Sequence, residues 1–254
     1  MQSFTELEYK YIADPDTTLD DVMSAFDGSD WMVRESRGRP STWQIEDHVT
    51  FTDTADKQLL NNGSLLRFKS IVGAKINGEQ KPVTGKWTKV KATFKKPSPN
   101  QYGDISSRET NWAVNFDRAE VDTLPKLTEH ANTIARDNGI ADTVYPVFEM
   151  SDVIDVFNVV KDNFCYSLSL SDAVGTTLCG RRSTKRKGLE IEQLGRIDPE
   201  TGKADDHSID PETSQGLMTE IHNILMQSGL DLQVTQKSKY ELMHGLIQNS
   251  HEKT

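Results

Sequence analysis

Glu6-Leu7-Glu8-Tyr9-Lys10 is the stretch on which the fold turns. Successive side chains of a strand point to opposite faces, so Glu6, Glu8 and Lys10 share one face, and Leu7, Tyr9 and Tyr11 share the other. Alone, the pattern also suits an ordinary half-buried strand with its charges in water. However, the same alternation returns at Leu189-Glu190-Ile191-Glu192. Basic versions lie between, at Arg67-Phe68-Lys69 and Lys91-Ala92-Thr93-Phe94-Lys95. Several strands that each place two acids or two bases on one face suggest a single closed sheet with a charged interior.

The matching strands run from residue 6 to about residue 192, so the 254 residues read as one domain, 1–254, ending in helices over 212–249. Charged residues make up 27% of the chain and hydrophobic residues 35%. No apolar run approaches the roughly 20 residues needed to cross a bilayer, and no membrane association is expected. Met-Gln-Ser-Phe-Thr at the start lacks a basic segment followed by an apolar one, and the two cysteines, Cys165 and Cys179, suggest no disulfide framework. A cytoplasmic location is the expectation. A net charge of −10 argues against general nucleic-acid binding but leaves room for a small polyanion in a local basic pocket. Both a monomer and a homodimer remain open.

Around these strands the punctuation is clear. Leu19, Val22, Met23 and Phe26 recur at helical spacing, as do Leu124, Leu127, Ala131, Ile134 and Ala135 before Gly139. Asp210-Pro211 is a good helix start, with Leu217, Ile221, Ile224 and Leu225 on one face. Tyr240, Met243, Leu246 and Ile247 mark a last helix. Tyr166-Ser-Leu-Ser-Leu-Ser171 alternates strictly, which places Ser167, Ser169 and Ser171 on the face opposite Leu168 and Leu170. Arg181 to Lys187 holds five basic residues and reads as a solvated hairpin tip or as a lure for polyanions.

Glu-x-Glu-x-Lys at residues 6–10 resembles the opening strand of the CYTH superfamily, the triphosphate tunnel metalloenzymes. The later segments follow that family's order: Asp53-Thr54, then Leu65-Leu66-Arg67-Phe68-Lys69, Thr93-Phe94-Lys95, and a second Glu-x-Glu at 190–192. The resemblance implies an α+β fold, an eight-stranded antiparallel β-barrel enclosing a tunnel, with helices packed outside. It also implies a metal-dependent triphosphatase acting on inorganic tripolyphosphate, a nucleoside triphosphate or thiamine triphosphate.

Carried over residue by residue, the resemblance makes Glu6, Glu8, Glu190 and Glu192 the ligands of Mg²⁺ or Mn²⁺, hard cations that prefer oxygen. Lys10, Arg67, Lys69, Lys91, Lys95, Arg108 and Lys239 become the phosphate-binding set, with Glu8, Glu192 and Lys10 as the catalytic residues. Two departures stand out. Arg108 is followed on its own face by Thr110 and Trp112 rather than by the family's acids. The next strand lacks the inward Arg, and between residues 137 and 180 Lys161 is the only base. An adenylate cyclase on the same fold and a polyphosphate- or nucleotide-binding module without catalysis are the alternatives.

Overall fold

The computed structural model describes residues 2–36, 39–97, 106–180, 182–183, 185–197, 204–205 and 210–249, with the side chains of 2–7, 35–36, 39–40, 86, 106–111, 204–205, 211 and 249 left out. Eight long strands carry the architecture. They are β1 (Gln2–Ala13), β2 (Thr42–Thr54), β3 (Leu65–Ile76), β4 (Val90–Pro97), β5 (Ser106–Phe116), β6 (Val144–Lys161), β7 (Phe164–Thr177) and β8 (Arg186–Ile197). Every pairing is antiparallel. The order runs β1–β5–β4–β3–β2–β6–β7–β8, and β8 pairs in turn with β1, so the strands follow a ring.

Four short pieces extend the sheet: Met32–Val33 on β6, Glu79–Gln80 on β3, Ala204–Asp205 on β8 and Leu232–Val234 on β1. Among the described residues the sheet therefore has twelve strands rather than the eight expected. Pieces of two or three residues are too short for a period-two pattern to register. One of them follows a tight Asn77-Gly78 turn in which both residues have positive φ, the hairpin geometry that Asn-Gly favours.

Helices cover the apolar sides of this sheet. α1 (Leu19–Ser24) starts at a capping box between Thr18 and Asp21. α2 (Leu124–Asp137) lays Leu127, Ala131, Ile134 and Ala135 over Leu66 and Phe68 of β3 and Phe94 of β4. α3 (Pro211–Gln227) begins where Asp210 accepts from the Thr213 amide at 2.9 Å. It presses Met218, Ile221 and Leu225 onto Tyr9 and Tyr11 of β1, Leu168 of β7 and Ile191 of β8. Each such fully buried side chain is worth roughly 1.5–3 kcal/mol relative to exposure. Among the described residues no helix is long and apolar enough to cross a membrane.

α4 (Lys239–Asn249) departs from the expected outer layer. It packs Tyr240, Met243 and Ile247 against Val49 and Phe51 of β2 and Phe148 and Met150 of β6. By alternation Val49 and Phe51 share a face with Asp47, and Met150 shares one with Asp152, so α4 sits on the charged side of the strands. Tyr240 stacks on Phe51 with ring centroids 5.3 Å apart and donates to Asp53 at 2.6 Å. Asp53 also accepts from the amides of Thr54, Leu59 and Leu60. Asp53, of the Asp-Thr signal, and Tyr240, of the last helix, thus meet in one buried network.

Candidate functional site

The β1–β8 register brings the two Glu-x-Glu signals together. Glu8 lies opposite Glu192, and Lys10 opposite Glu190. Like charges directly across a ladder repel, so Glu8 and Glu192 need a cation, and Lys10 meets part of that need through its ion pair with Glu8. Glu8 and Lys10 are buried, at 6% and 7% exposure. β1 is braced from behind by α3: the Tyr9 hydroxyl meets Thr219 at 3.1 Å and Gln215 at 2.8 Å, and the Tyr11 hydroxyl meets His222 Nδ1 at 2.9 Å. Glu6 pairs with Glu109 of β5, and both side chains lie outside the described residues.

The basic strands converge on the same place. In register Arg67 is opposite Thr93, Lys69 opposite Lys91, and Lys95 opposite Leu65, so these bases share one face. Burial alone would push the Glu190 carboxyl up, but Lys239, Lys10, Lys95 and Arg67 together hold it below the ordinary glutamate range. Four cations from four elements therefore act on one carboxylate. Lys69 is committed to Asp47 by an ion pair, and Lys91 lies towards solvent. Arg108 stands apart: β5 pairs it with Leu7, while Glu109 takes the register position opposite Glu6. That register puts Arg108 on the opposite face from Glu8 and Lys10, and its side chain lies outside the described residues.

Lys239 occupies the first position of α4, where the helix dipole disfavours a cation. The helix start is fixed by a reciprocal cap. Ser238 N–H and Oγ donate to Glu241 at 2.7 and 2.9 Å, and the Glu241 amide donates to Ser238 Oγ at 3.2 Å. The cap directs the Lys239 ammonium to Asp152 at 3.0 Å and Glu190 at 3.7 Å. Burial works against its charge, but Asp152 and Glu190 prevail and raise its pKa.

Sequence reasoning missed three interior groups. Asp47 and Asp152 face each other across β2–β6, both at 2% exposure. Ser171 donates to Asp152 at 3.3 Å. Asp47 follows a register shift between Glu46 and Asp47, and β6 shifts between Pro146 and Phe148, so simple alternation loses its phase there. Arg186, assigned to the hairpin tip, is the first residue of β8 and lines a cavity with Lys10 and Glu190. Lys161 does not replace the missing inward Arg. It pairs with Glu220 at 2.7 Å and lies 6.0 Å from the centre of the Trp31 ring, on the helix-covered side. The inward charge on β6 is Asp152, an acid.

Among the described residues no three acidic, histidine or cysteine side chains converge closely enough to hold a metal ion. The donor chemistry nonetheless fits a hard cation. Glu8 and Glu192 present carboxylate oxygens directly across one ladder, and Glu6 and Glu190 occupy the flanking register positions.

No family model and no curated protein sequence matches this chain. Among solved structures it is similar to HpAC1 from Hippeastrum, assigned as an adenylyl cyclase and described as having a dominant triphosphatase activity. The identity there is 15% over 94% of this chain and 95% of that one, with a TM-score of 0.52. It is also similar to PH1819 from Pyrococcus horikoshii OT3, at 14% identity over 94% and 98% of the two chains and a TM-score of 0.50. What this chain shares with them is the fold.

Proposed function

We propose that this chain is a divalent-metal-dependent triphosphatase. It would release the terminal phosphate of inorganic tripolyphosphate, a nucleoside triphosphate or thiamine triphosphate inside a tunnel formed by the ring of strands. The observation that carries this reading is the convergence of Lys239, Lys10, Lys95 and Arg67 on Glu190, beside the facing pair Glu8 and Glu192. Several fixed cations in one enclosed site suit a ligand with several charges that loses water on entry.

Arg67 supplies a planar fork for two phosphate oxygens, and Lys10, Lys95 and Lys239 supply point charges. Phosphoryl transfer has a loose transition state, so positioning and charge neutralisation provide most of the rate. Glu8 or Glu192 orients a water for in-line attack on the terminal phosphorus and takes its proton. The new O–P bond forms as the bridging P–O bond breaks, and the leaving diphosphate keeps that electron pair. Mg²⁺ or Mn²⁺, held by Glu6, Glu8, Glu190 and Glu192, would neutralise phosphate oxygens and favour ionisation of water.

One observation favours a second reading. β6 turns an acid, Asp152, to the inside where the resemblance leads one to expect a base. A site with fewer free cations suits a module that binds a polyphosphate or nucleotide without cleaving it. Phosphate release from tripolyphosphate, ATP and thiamine triphosphate, with Mg²⁺, Mn²⁺ or chelator, separates the readings. Metal-dependent release supports the hydrolase; cyclic nucleotide from ATP would point to a cyclase. Neither product, together with ligand-induced thermal stabilisation, would establish the binding module.

A further inference from the structure

We propose that the phosphate path continues beyond Lys239 into a second anion subsite built by Arg186 and Lys237, which takes the fourth and later phosphoryl groups of a linear oligophosphate. The proposal rests on the triphosphatase reading and names the substrate class that reading leaves open.

A cavity next to the four-cation cluster is lined by Lys10, Glu190, Lys239, Arg186, Lys237 and Thr235. A surface groove shares Arg186, Lys237 and Leu242 with it and adds Lys185 and Lys187. The inner cluster and the outer basic groove are thus joined through these three residues, two of them basic. Gly188, between Arg186 and Glu190 on the same face of β8, contributes no side chain there. From Glu192 to Arg186 the strand runs six residues, about 20 Å at a strand's rise. The cations at Glu190 occupy the middle of that length, and Arg186 lies beyond them.

The outer lysines have other commitments. Lys185 pairs with Asp172 at 2.9 Å, and Lys187 donates to the Thr17 carbonyl at 2.7 Å. Glu241, the acid of the groove, is engaged by the α4 cap. Arg186 and Lys237 have no ion-pair partner within salt-bridge distance among the described residues. Burial disfavours the Arg186 charge, with only the more distant Glu190 acting in its favour, which lowers its pKa. A guanidinium with that balance gains from a phosphate, which it binds through two parallel hydrogen bonds. On a chain of net charge −10, such a path is a local attraction for anions.

The test is calorimetric binding of tripolyphosphate, tetrapolyphosphate and a longer linear polyphosphate, with chelator present so that turnover does not intervene. It compares the wild type with Arg186→Ala, Arg186→Lys and Lys237→Ala, each first checked for an unchanged melting curve. The wild type should bind the longer chains about tenfold more tightly than tripolyphosphate, the worth of one added charged hydrogen bond. Arg186→Ala should remove that preference and leave tripolyphosphate binding unchanged, while Arg186→Lys keeps part of it. Equal affinity for all chains in the wild type, or an equal loss for all chains in Arg186→Ala, overturns the subsite. Length-dependent binding by a protein that releases no phosphate with Mg²⁺ or Mn²⁺ would end the hydrolase reading and keep the subsite. Failure to bind any of the chains, both with chelator and with Mg²⁺ present, would end both.

Discussion

The β1–β8 wall and the β2–β6 wall each set two acids directly opposite one another, and they resolve the repulsion differently. On β1–β8, Glu8 faces Glu192 while Lys10, Lys95, Arg67 and Lys239 share the neighbouring Glu190. No single cation is dedicated to that carboxylate, and its side chain keeps 26% of its surface open. On β2–β6, Asp47 faces Asp152, each side chain is 1% exposed, Asp47 holds Lys69, and Asp152 holds Lys239 at 3.0 Å, closer than the 3.7 Å from Lys239 to Glu190. Shared, open charges can exchange partners with a ligand at little cost. Pairs built on a sealed carboxylate lose several kcal/mol when one member goes. On the proposed reading the first wall carries the chemistry and the second locks the fold, although their residue types are alike.

The sharpest way to break this comparison is Glu190→Gln. It removes the charge on which four cations converge and keeps the shape. If the first wall is chemical, kcat on the best triphosphate should fall by roughly a thousandfold, about 4 kcal/mol of barrier. The far-ultraviolet circular dichroism should not change. Retained turnover would sink the assignment of Glu190.

Asp152→Ala probes the other wall. It leaves Lys239 enclosed without its nearest carboxylate, and the folded state should lose about 3 kcal/mol by urea denaturation. Adding Lys239→Met should restore most of that loss, because no charge is then stranded. A single mutant as stable as the parent would mean that the second wall is not a lock.

Much of the first wall is legible in the sequence because it needs only parity. Glu8 and Lys10, like Glu190 and Glu192, alternate with apolar residues in unbroken strands, so period-two counting puts them on one face. The second wall is hidden for a local reason. Asp47 and Asp152 lie near register shifts, and Ile154 and Val156 continue the face of Asp152 with apolar residues, so β6 never shows a charged stripe. Arg186 was obscured by its basic neighbours, since a run of bases ordinarily marks a solvated tip. Lys239 was visible only through the family resemblance. Its burial depends on α4 packing on the charged side, a tertiary choice that helical spacing leaves open.

Tyr240→Phe tests how firmly α4, and with it Lys239, is held between the walls. The hydroxyl bond to Asp53 is lost, while three backbone amides still serve that carboxylate. A charge-assisted bond of this kind is worth about 1.5–3 kcal/mol, and the lower end applies because Asp53 stays partnered. Thermal unfolding should move down accordingly. An unchanged midpoint would show that ring stacking on Phe51 and Phe148 holds α4 by itself.

The smallest effect belongs to Tyr166, on the helix-covered side of β7, where its hydroxyl meets Ser214 Oγ at 3.2 Å. Burial, outweighing the Ser214 hydrogen bond, pushes its pKa up to about 12 from 10.0. The phenol stays protonated in the folded state after the unfolded chain has ionised, so the unfolded state binds fewer protons between those values. Stability must therefore fall as pH rises from about 10 to about 12, and below 10 this group adds no pH dependence. Tyr166→Phe should cost about 1 kcal/mol at neutral pH through the lost hydrogen bond, and it should flatten part of the alkaline decline. Tyr11 and Tyr240 are also raised by burial and keep the remainder of the slope. Urea titrations of the parent and Tyr166→Phe across that range give the difference in slope directly. Parallel curves would mean that the Tyr166 ring is wetter than its place beneath α3 implies, and that α3 holds β1, the strand of Glu8 and Lys10, less firmly than the hydrogen bonds of Tyr9 and Tyr11 suggest.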